Sequence, residues 1–226
     1  MHQVFTSWSG GKDSCLASYR AIASGLKVSY LANTVTEDGK RSCSHGLAAE
    51  IIKVQSQAMG IPLVQQPTTW GTYEAEFKKM ILALKGKGID GGVFGDIDFE
   101  PHREWVERIC GEVGVTPYLP LWGDSQDKIL REFIDLGFEA VVVAAKAELM
   151  GEEWLGWRID FDFIKQLYKL SETKPITPCG EAGEYHTLVI DGPLFKQRME
   201  IQETTKVLRG EHWFLEISDI RLRDKK

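Results

Sequence analysis

The string SGGKDS at residues 9–14 constrains the fold of this chain more than any other segment. It follows the apolar run Val4-Phe5-Thr6, which predicts a strand, and precedes an amphipathic stretch from about Asp13 to Ala23, which predicts a helix. At such a junction the first backbone N–H groups of the helix are unpaired, and the positive end of its dipole faces the sheet edge where ligands bind in open α/β folds. The string therefore predicts an anion-binding loop.

The residue types of this loop suit a phosphate ligand. The two glycines let the backbone approach phosphate oxygens, the lysine adds a full positive charge, and the serines offer hydroxyl groups. We predict that the nucleotide is bound by Ser9, Gly10, Gly11, Lys12 and Ser14. Lys12 and Asp13 are candidate catalytic residues, and Asp13 is also a candidate Mg²⁺ ligand. The alternative is a tight strand–helix turn in which Asp13 is only a helix-start carboxylate.

The loop differs from two common nucleotide-binding motifs. The triphosphate loop of GTPases needs a glycine where this chain has Thr6, and Ser or Thr where it has Asp13. The dinucleotide fingerprint needs a third glycine, which is absent. The string instead resembles the pyrophosphate-binding motif of the N-type ATP pyrophosphatases. That resemblance implies an adenine nucleotide alpha hydrolase-like fold and cleavage of ATP to AMP and pyrophosphate.

Two domains are expected from the pattern along the chain. Apolar runs alternate with amphipathic stretches as far as about Ala145, which predicts α/β architecture with a doubly wound, mostly parallel sheet. The last apolar run, residues 140–144, is expected to be a parallel strand of that sheet, covered on both faces. We place an ATP pyrophosphatase domain at residues 1–148 and a smaller α+β acceptor-binding domain at residues 149–226. In the second domain, predicted strands at 185–190 and 194–201 are expected to pair antiparallel.

Composition limits the partners. The 33 acidic and 27 basic residues give a net charge of −6, which argues against a stable nucleic-acid partner. No apolar run approaches the roughly 20 residues of a membrane span, and no signal peptide is visible, so we expect a cytoplasmic protein without a membrane partner. The cysteines and histidines lack zinc or redox spacing. Whether the chain forms a homodimer is left open.

Further candidates follow the predicted strands. Gly95 and Asp96 come directly after a strand, and Asp96 is a candidate ligand for the nucleotide or for Mg²⁺. Asn33 ends the second strand, where it could contact adenine or ribose. The alternatives are an Asp-rich turn for Asp96 and a simple turn former for Asn33.

Candidate substrate-binding residues lie outside the loop. His45 precedes a helix and could face the nucleotide, although a surface histidine is the alternative. Arg103 could clamp a carboxylate, or simply pair with Glu107 one helical turn away. Trp154 and Trp157 lie in a glycine-flanked segment, residues 149–158, which predicts a mobile lid or an aromatic platform. Packing between domains is the alternative for the tryptophans.

The segment PCGEAGEYHT at residues 178–187 carries two carboxylates and two glycines before a predicted strand. Glu181 and Glu184 are candidate catalytic and substrate-binding residues, which could hold an amine or deprotonate a nucleophile. The alternative is a polar turn that leads into the strand.

Taken together, residues 9–14, 120–122, 151–156 and 179–195 resemble the diphthine–ammonia ligase family, and the resemblance covers nearly the whole chain. The Gly-Glu-x-Gly-Glu and Trp-Leu-Gly segments are its specific parts. His186 departs from the pattern, since many relatives carry an acidic residue there.

The resemblance implies ATP and Mg²⁺ as cosubstrate and cofactor, ammonia as nucleophile, and diphthine-bearing elongation factor two as acceptor. The diphthine carboxylate would form an acyl-adenylate that ammonia converts to the amide. Two other functions remain open: adenylation of a tRNA base for thiolation or amination, and ATP sensing without turnover.

Overall fold

The computed structural model describes residues 2–225 and contains two β-sheets. The five strands of the first sheet are all parallel, in the order β3-β2-β1-β4-β5. They are β1 (Gln3–Ser7), β2 (Lys27–Thr36), β3 (Leu63–Thr68), β4 (Gly91–Val93) and β5 (Thr116–Tyr118). The strand order reverses between β1 and β4, so the predicted doubly wound α/β sheet is confirmed. The carboxyl ends of these two strands form the crevice where such folds bind ligands.

Helices follow the strands of this sheet, and their ends are set by local chemistry. They are α1 (Lys12–Ala23), α2 (Ala49–Met59), α3 (Tyr73–Lys85), α4 (Glu100–Val113) and α5 (Gln126–Asp135). Gly60 and Gly114 end α2 and α4 in the left-handed conformation that glycine adopts most readily. The Ser125 hydroxyl accepts the N–H of Lys128 at 3.4 Å and caps α5.

The second sheet is antiparallel and has the order β7-β6-β9-β8. It contains β6 (Glu139–Lys146), β7 (Tyr185–Asp191), β8 (Gln197–Arg209) and β9 (His212–Asp224). A 3₁₀-helix (Glu152–Trp154) and helix α6 (Phe161–Ser171) lie between β6 and β7 in the chain. The Asp160 carboxylate accepts the N–H of Phe163 at 2.8 Å and caps α6.

Two predictions about strand pairing are wrong. Strand β6 is not a parallel strand of the first sheet, because it pairs antiparallel with β7 and β9. Its apolar run reflects burial, since residues 140–145 are all buried, and burial does not reveal the direction of the neighbouring strands. Strands β7 and β8 are not sheet neighbours either. The partner of β8 is β9, and the hairpin between them turns at Gly210, whose φ is 57°.

The second sheet packs against the helices of the first. Helix α1 contacts β7, and α2 contacts β8 and β9. One apolar cluster includes Leu16 of α1, Ile52 of α2, Val142 of β6 and Leu188 of β7. The packing brings the start of α1 against β7. The division near residue 148 stays a prediction, with β6 belonging to the second sheet. Within residues 2–225, no helix combines the length and the apolar character that crossing a membrane requires.

Candidate active site

Close contacts with neighbouring side chains explain why residues 10 and 11 are glycines. Gly10 has a φ of 85°, and a Cβ atom there would lie 2.6 Å from Ile52 Cδ1. A Cβ atom on Gly11 would lie 2.4 Å from His45 Cε1. Side chains at either position would therefore displace α2 or the His45 ring. The loop is held by Ser9 Oγ, which accepts the Gly11 N–H at 3.2 Å.

Lys12 is almost fully buried at the start of α1, with 3% of its surface exposed. Its Nζ atom donates to Asp13 Oδ2 at 2.8 Å and to the carbonyl oxygen of Cys179, and it lies 5.3 Å from the centre of the Tyr185 ring. Burial alone would lower the pKa of Lys12. The Asp13 carboxylate, Tyr185 and Cys179 together outweigh burial and raise this pKa above its ordinary value, so the ammonium group stays charged.

Asp13 and Asp96 are the two metal ligands predicted from the sequence. Asp13 Oδ1 is buried and has no hydrogen-bond partner among residues 2–225, although the side chain as a whole is 25% exposed. Burial raises the pKa of Asp13, and Lys12 opposes that rise. Asp96 Oδ1 lies 3.2 Å from His102 Nδ1, and this contact raises the pKa of His102. A buried carboxylate oxygen without a donor is a site that a metal ion or a proton can occupy.

Glu181 lies in the turn that precedes β7. Burial, followed by the negative charge of Asp13, raises the pKa of Glu181 to about 7. Lys12 opposes this shift, while Asp96 and Asp98 add to it. The carboxyl group can therefore gain or lose a proton near neutral pH, which suits general acid–base work.

Two stacked imidazoles complete this part of the site. The rings of His45 and His186 lie 4.5 Å apart, and His45 Nδ1 lies 3.0 Å from the carbonyl oxygen of Thr187. A carbonyl only accepts, so Nδ1 carries the proton and Nε2 of the neutral ring is an acceptor. Burial lowers the pKa of His45 well below its ordinary value and that of His186 to about 4. Both rings are neutral at pH 7.

These groups line one cavity of about 320 Å³ between the two sheets. Its walls contain Lys12, Asp13, His45, Gly95, Asp96, His102, Cys179, Gly180, Glu181, Gly183, Tyr185, His186 and Thr187. We call it the phosphate cavity. Of the residues predicted from sequence, it brings together Lys12, Asp13, His45, Gly95, Asp96 and Glu181.

A second cavity of about 480 Å³ shares Asp96 and His102 with the first. Its remaining walls are Ser7, Cys43, Ser44, Trp70, Tyr73, Phe94, Trp105 and Val106. We call it the aromatic cavity. It lies where β1 and β4 end, which is the crevice at the point of strand-order reversal.

A larger cavity of about 890 Å³ lies on the second sheet. Its charged side chains are engaged with each other or with nearby carboxylates. Arg223 pairs with Glu200 at 3.1 Å, and Lys225 pairs with Asp191 at 2.6 Å. This cavity does not include Lys12 or the groups with strongly shifted pKa values that line the phosphate cavity.

The structure gives Glu184 a structural role in place of the predicted catalytic one. Its side chain is buried, and its carboxylate accepts the backbone N–H groups of Thr177 at 2.6 Å and Ala182 at 2.9 Å. Glu184 therefore holds the turn that carries Glu181, and it does not line the phosphate cavity.

Asn33, Arg103 and Trp154 also lie outside both cavities. Buried Asn33 donates to the carbonyl of Trp8 at 2.8 Å and to Ser42 Oγ at 3.0 Å, so it ties β2 to adjacent loops. Arg103 is on the exposed side of α4, where its Nε donates to Glu107 at 2.7 Å.

Trp154 is buried in the core, 4.9 Å from Trp157 and 5.6 Å from Phe163 between ring centres. The 149–158 segment is also bonded to β6, where the Gly156 N–H donates to the Val142 carbonyl at 2.9 Å. Residues 149–158 are therefore packed in the core and do not form the mobile lid that the sequence predicts.

Sequence reasoning missed the residues of β7 that complete the loop. Thr187 Oγ1 accepts the backbone N–H of Lys12 at 3.0 Å, and the Val189 N–H donates to the Gly10 carbonyl at 3.0 Å. Gln55 also supports the loop, because its Nε2 donates to the carbonyls of Gly10 at 3.0 Å and Val189 at 2.7 Å. No local pattern marks residues that act across such sequence distances.

Known proteins resemble this chain over nearly its whole length. The family model described as diphthamide synthase N-terminal domain matches residues 2–117, and the C-terminal domain model matches residues 125–222. A diphthine–ammonia ligase of Rattus norvegicus is 27% identical over 95% of this chain and 88% of its own length. That of Danio rerio is 27% identical over 94% of this chain and 91% of its own length. A crystal structure titled predicted subunit of tRNA methyltransferase, from Methanocaldococcus jannaschii, is 13% identical, with a TM-score of 0.47 over 85% of this chain and 98% of that chain.

Proposed function

Because this chain belongs to the diphthamide synthase family, we propose that it converts the carboxylate of diphthine on translation elongation factor two to an amide, using ATP and ammonia. Family membership confirms the resemblance inferred from the sequence, and with it the prediction of an enzyme of diphthamide synthesis. The proposal rests on one observation above all. Lys12, which directly follows the glycine loop, lines one cavity together with three carboxylates, Asp13, Asp96 and Glu181.

The two adjoining cavities suit the two halves of ATP. The β- and γ-phosphates would lie against the glycine loop, where the start of α1 and the Lys12 ammonium attract negative charge. The adenine ring would enter the aromatic cavity and pack against Trp70, Tyr73 and Trp105. Because the cavities meet at Asp96 and His102, the α-phosphate would lie between them.

The donor set fits Mg²⁺. Asp13 Oδ1 is a buried oxygen acceptor without a protein donor, and Asp96 offers a second carboxylate at the same cavity. Residues 2–225 contain no group of three or more His, Cys, Asp or Glu side chains placed to hold a metal ion. Mg²⁺ commonly takes one or two carboxylates and completes its shell with substrate phosphates and water. When bound, it would offset negative charge on the departing pyrophosphate.

The reaction would proceed in two steps. In the first, an oxygen of the diphthine carboxylate attacks the α-phosphorus, and the bond to the pyrophosphate oxygen breaks. The Lys12 ammonium and the positive end of the α1 dipole stabilise the charge that grows on that oxygen. In the second step, ammonia attacks the carbonyl carbon of the acyl-adenylate, and AMP leaves.

Purified protein incubated with ATP, ammonium and diphthine-bearing elongation factor two tests the proposal. We expect AMP and pyrophosphate in equal amounts, and the mass decrease that distinguishes an amide from its acid. Lys12→Ala should abolish both products, whereas Lys53→Ala, an exposed lysine on α2, should leave them unchanged. ATP binding without acceptor-dependent pyrophosphate release would indicate a nucleotide sensor. Pyrophosphate release that depends on tRNA would indicate base adenylation. Either result would overturn the proposal.

A further inference from the structure

An ammonia-dependent amide synthesis needs a base. In neutral water ammonia is present mainly as the ammonium ion, whose nitrogen has no lone pair for attack. A site that uses ammonia must therefore attract a cation and then remove its proton. This requirement rests on the proposed function, and a carboxylate of the phosphate cavity can meet it.

The three carboxylates of the phosphate cavity differ in their partners. Asp13 pairs with Lys12 at 2.8 Å, and Asp96 lies 3.2 Å from His102. The Glu181 carboxylate forms no hydrogen bond or ion pair with any residue between 2 and 225, although its backbone N–H donates to Thr177 Oγ1 at 2.9 Å. Its backbone is thus held while its acidic group lines the cavity unpaired.

We propose that Glu181 binds the ammonium ion in the phosphate cavity and takes its proton, which frees ammonia to attack the acyl-adenylate. Two neutral imidazoles, His45 and His186, also line the cavity and add no positive charge to that of Lys12. Glu184 fixes the turn that places Glu181, because its carboxylate binds the N–H groups of Thr177 and Ala182 on both sides of Glu181.

The surroundings of Glu181 suit this role. Burial and the charges of Asp13, Asp96 and Asp98 raise its pKa to about 7, against the opposing charge of Lys12. The charge of Glu181 also interacts with His102 on α4 and raises the pKa of that histidine. A carboxylate with this pKa is a stronger base than an ordinary one and remains largely ionised slightly above neutrality.

One N–H bond of ammonium breaks, and its proton moves to the Glu181 carboxylate. The nitrogen lone pair then forms the C–N bond, and the C–O bond to the phosphate breaks as AMP leaves with its electron pair. The nitrogen loses a second proton to water, and Glu181 returns its own proton to solvent before the next turnover.

Glu181→Gln tests the proposal, because glutamine keeps the shape of the side chain and cannot take the proton. Acceptor-dependent pyrophosphate release should persist in this variant at early times. Amide formation from ammonium should fall by about 100-fold, a typical loss for general-base removal. Hydroxylamine, which is unprotonated at neutral pH and needs no base, should restore product formation, now as the hydroxamate, to nearly the wild-type hydroxylamine rate.

Glu50→Gln is the matched control. Glu50 is an exposed carboxylate on α2 that pairs with Lys53 at 3.0 Å and does not line the phosphate cavity. The ammonium rate of this variant should equal that of the wild type. In the wild type, the amidation rate should rise with pH through about 7, the pKa of Glu181, and this rise should be absent from the hydroxylamine reaction.

The outcomes distinguish a failure of the Glu181 role from a failure of the proposed function. If Glu181→Gln loses activity equally with ammonium and hydroxylamine, Glu181 shapes the site and does not act as the base, and the inference is overturned. An unchanged ammonium rate would overturn it as well. If wild-type protein forms no pyrophosphate with the acceptor, the proposed function itself fails. Thermal unfolding of each variant shows whether a loss of activity reflects a loss of folded protein.

Discussion

Thr187 Oγ1 accepts the backbone N–H of Lys12 at 3.0 Å, so a residue of the second sheet satisfies a donor at the start of α1. The same residue accepts from His45 Nδ1 through its carbonyl oxygen, also at 3.0 Å. Strand β7 thereby fixes both the phosphate-binding loop and the stacked histidines. The site is complete only because the second sheet packs against the first.

Replacing this threonine tests how far the second sheet stabilises the loop. Thr187→Val keeps the shape of the side chain but leaves the buried Lys12 N–H without an acceptor. We expect a loss of about 1–3 kcal/mol in the free energy of unfolding, together with weaker ATP binding. Urea unfolding and calorimetry measure the two effects. Thr205→Val, at an exposed position of β8, is the control and should change neither by a measurable amount.

Glu184 and Glu181 should respond differently to the same substitution. Glu184→Gln places an amide donor against two backbone N–H groups, so we expect a loss of about 1–3 kcal/mol of stability. Glu181→Gln removes a carboxylate whose charged form is disfavoured by burial, so it should not lower stability. Denaturant midpoints of the two variants, measured side by side, check this contrast. Equal destabilisation would contradict the roles assigned to the two residues.

The stacked histidines should make stability sensitive to acid. The pKa of His186 is lowered from 6.5 to about 4 by burial, so the unfolded chain binds a proton first as pH falls. The stability that the neutral, buried His186 ring contributes is fully present above pH 6.5 and is lost as the pH falls to about 4. Its slope approaches about 1.4 kcal/mol per pH unit for one proton. The unfolding free energy of His186→Gln should fall less steeply than wild type across this interval. Parallel curves would count against burial of a neutral ring.

The aromatic cavity should contribute to ATP affinity through Trp70, whose side chain is 87% exposed at the cavity wall. Removing a stacked aromatic side chain typically costs about 1–3 kcal/mol per base. Trp70→Ala should therefore weaken ATP binding by at least about fivefold, which corresponds to the lower value of about 1 kcal/mol. Because the side chain is exposed, its removal should change stability little. Calorimetric titration measures the affinity. Leu208→Ala, at a position 52% exposed on β8, is the control. An unchanged ATP affinity would place the base elsewhere.

Local chemistry determined much of this protein from sequence alone. The strand–helix junction at residues 9–14 and the alternation of strands with helices were predicted, and the family resemblance was confirmed. These features depend on backbone conformation and on hydrogen bonds within a few residues, which neighbouring residue types specify.

Tertiary structure decided the rest. An apolar run predicts burial for β6 but not its partners, and the paired glutamates near β7 have the same local pattern although only Glu181 faces the cavity. Trp154 is in the core, and Thr187 reaches Lys12 across 175 residues. Each of these outcomes depends on which surfaces meet when the two sheets pack. Contacts between distant parts of a chain leave no periodic trace in the sequence on either side.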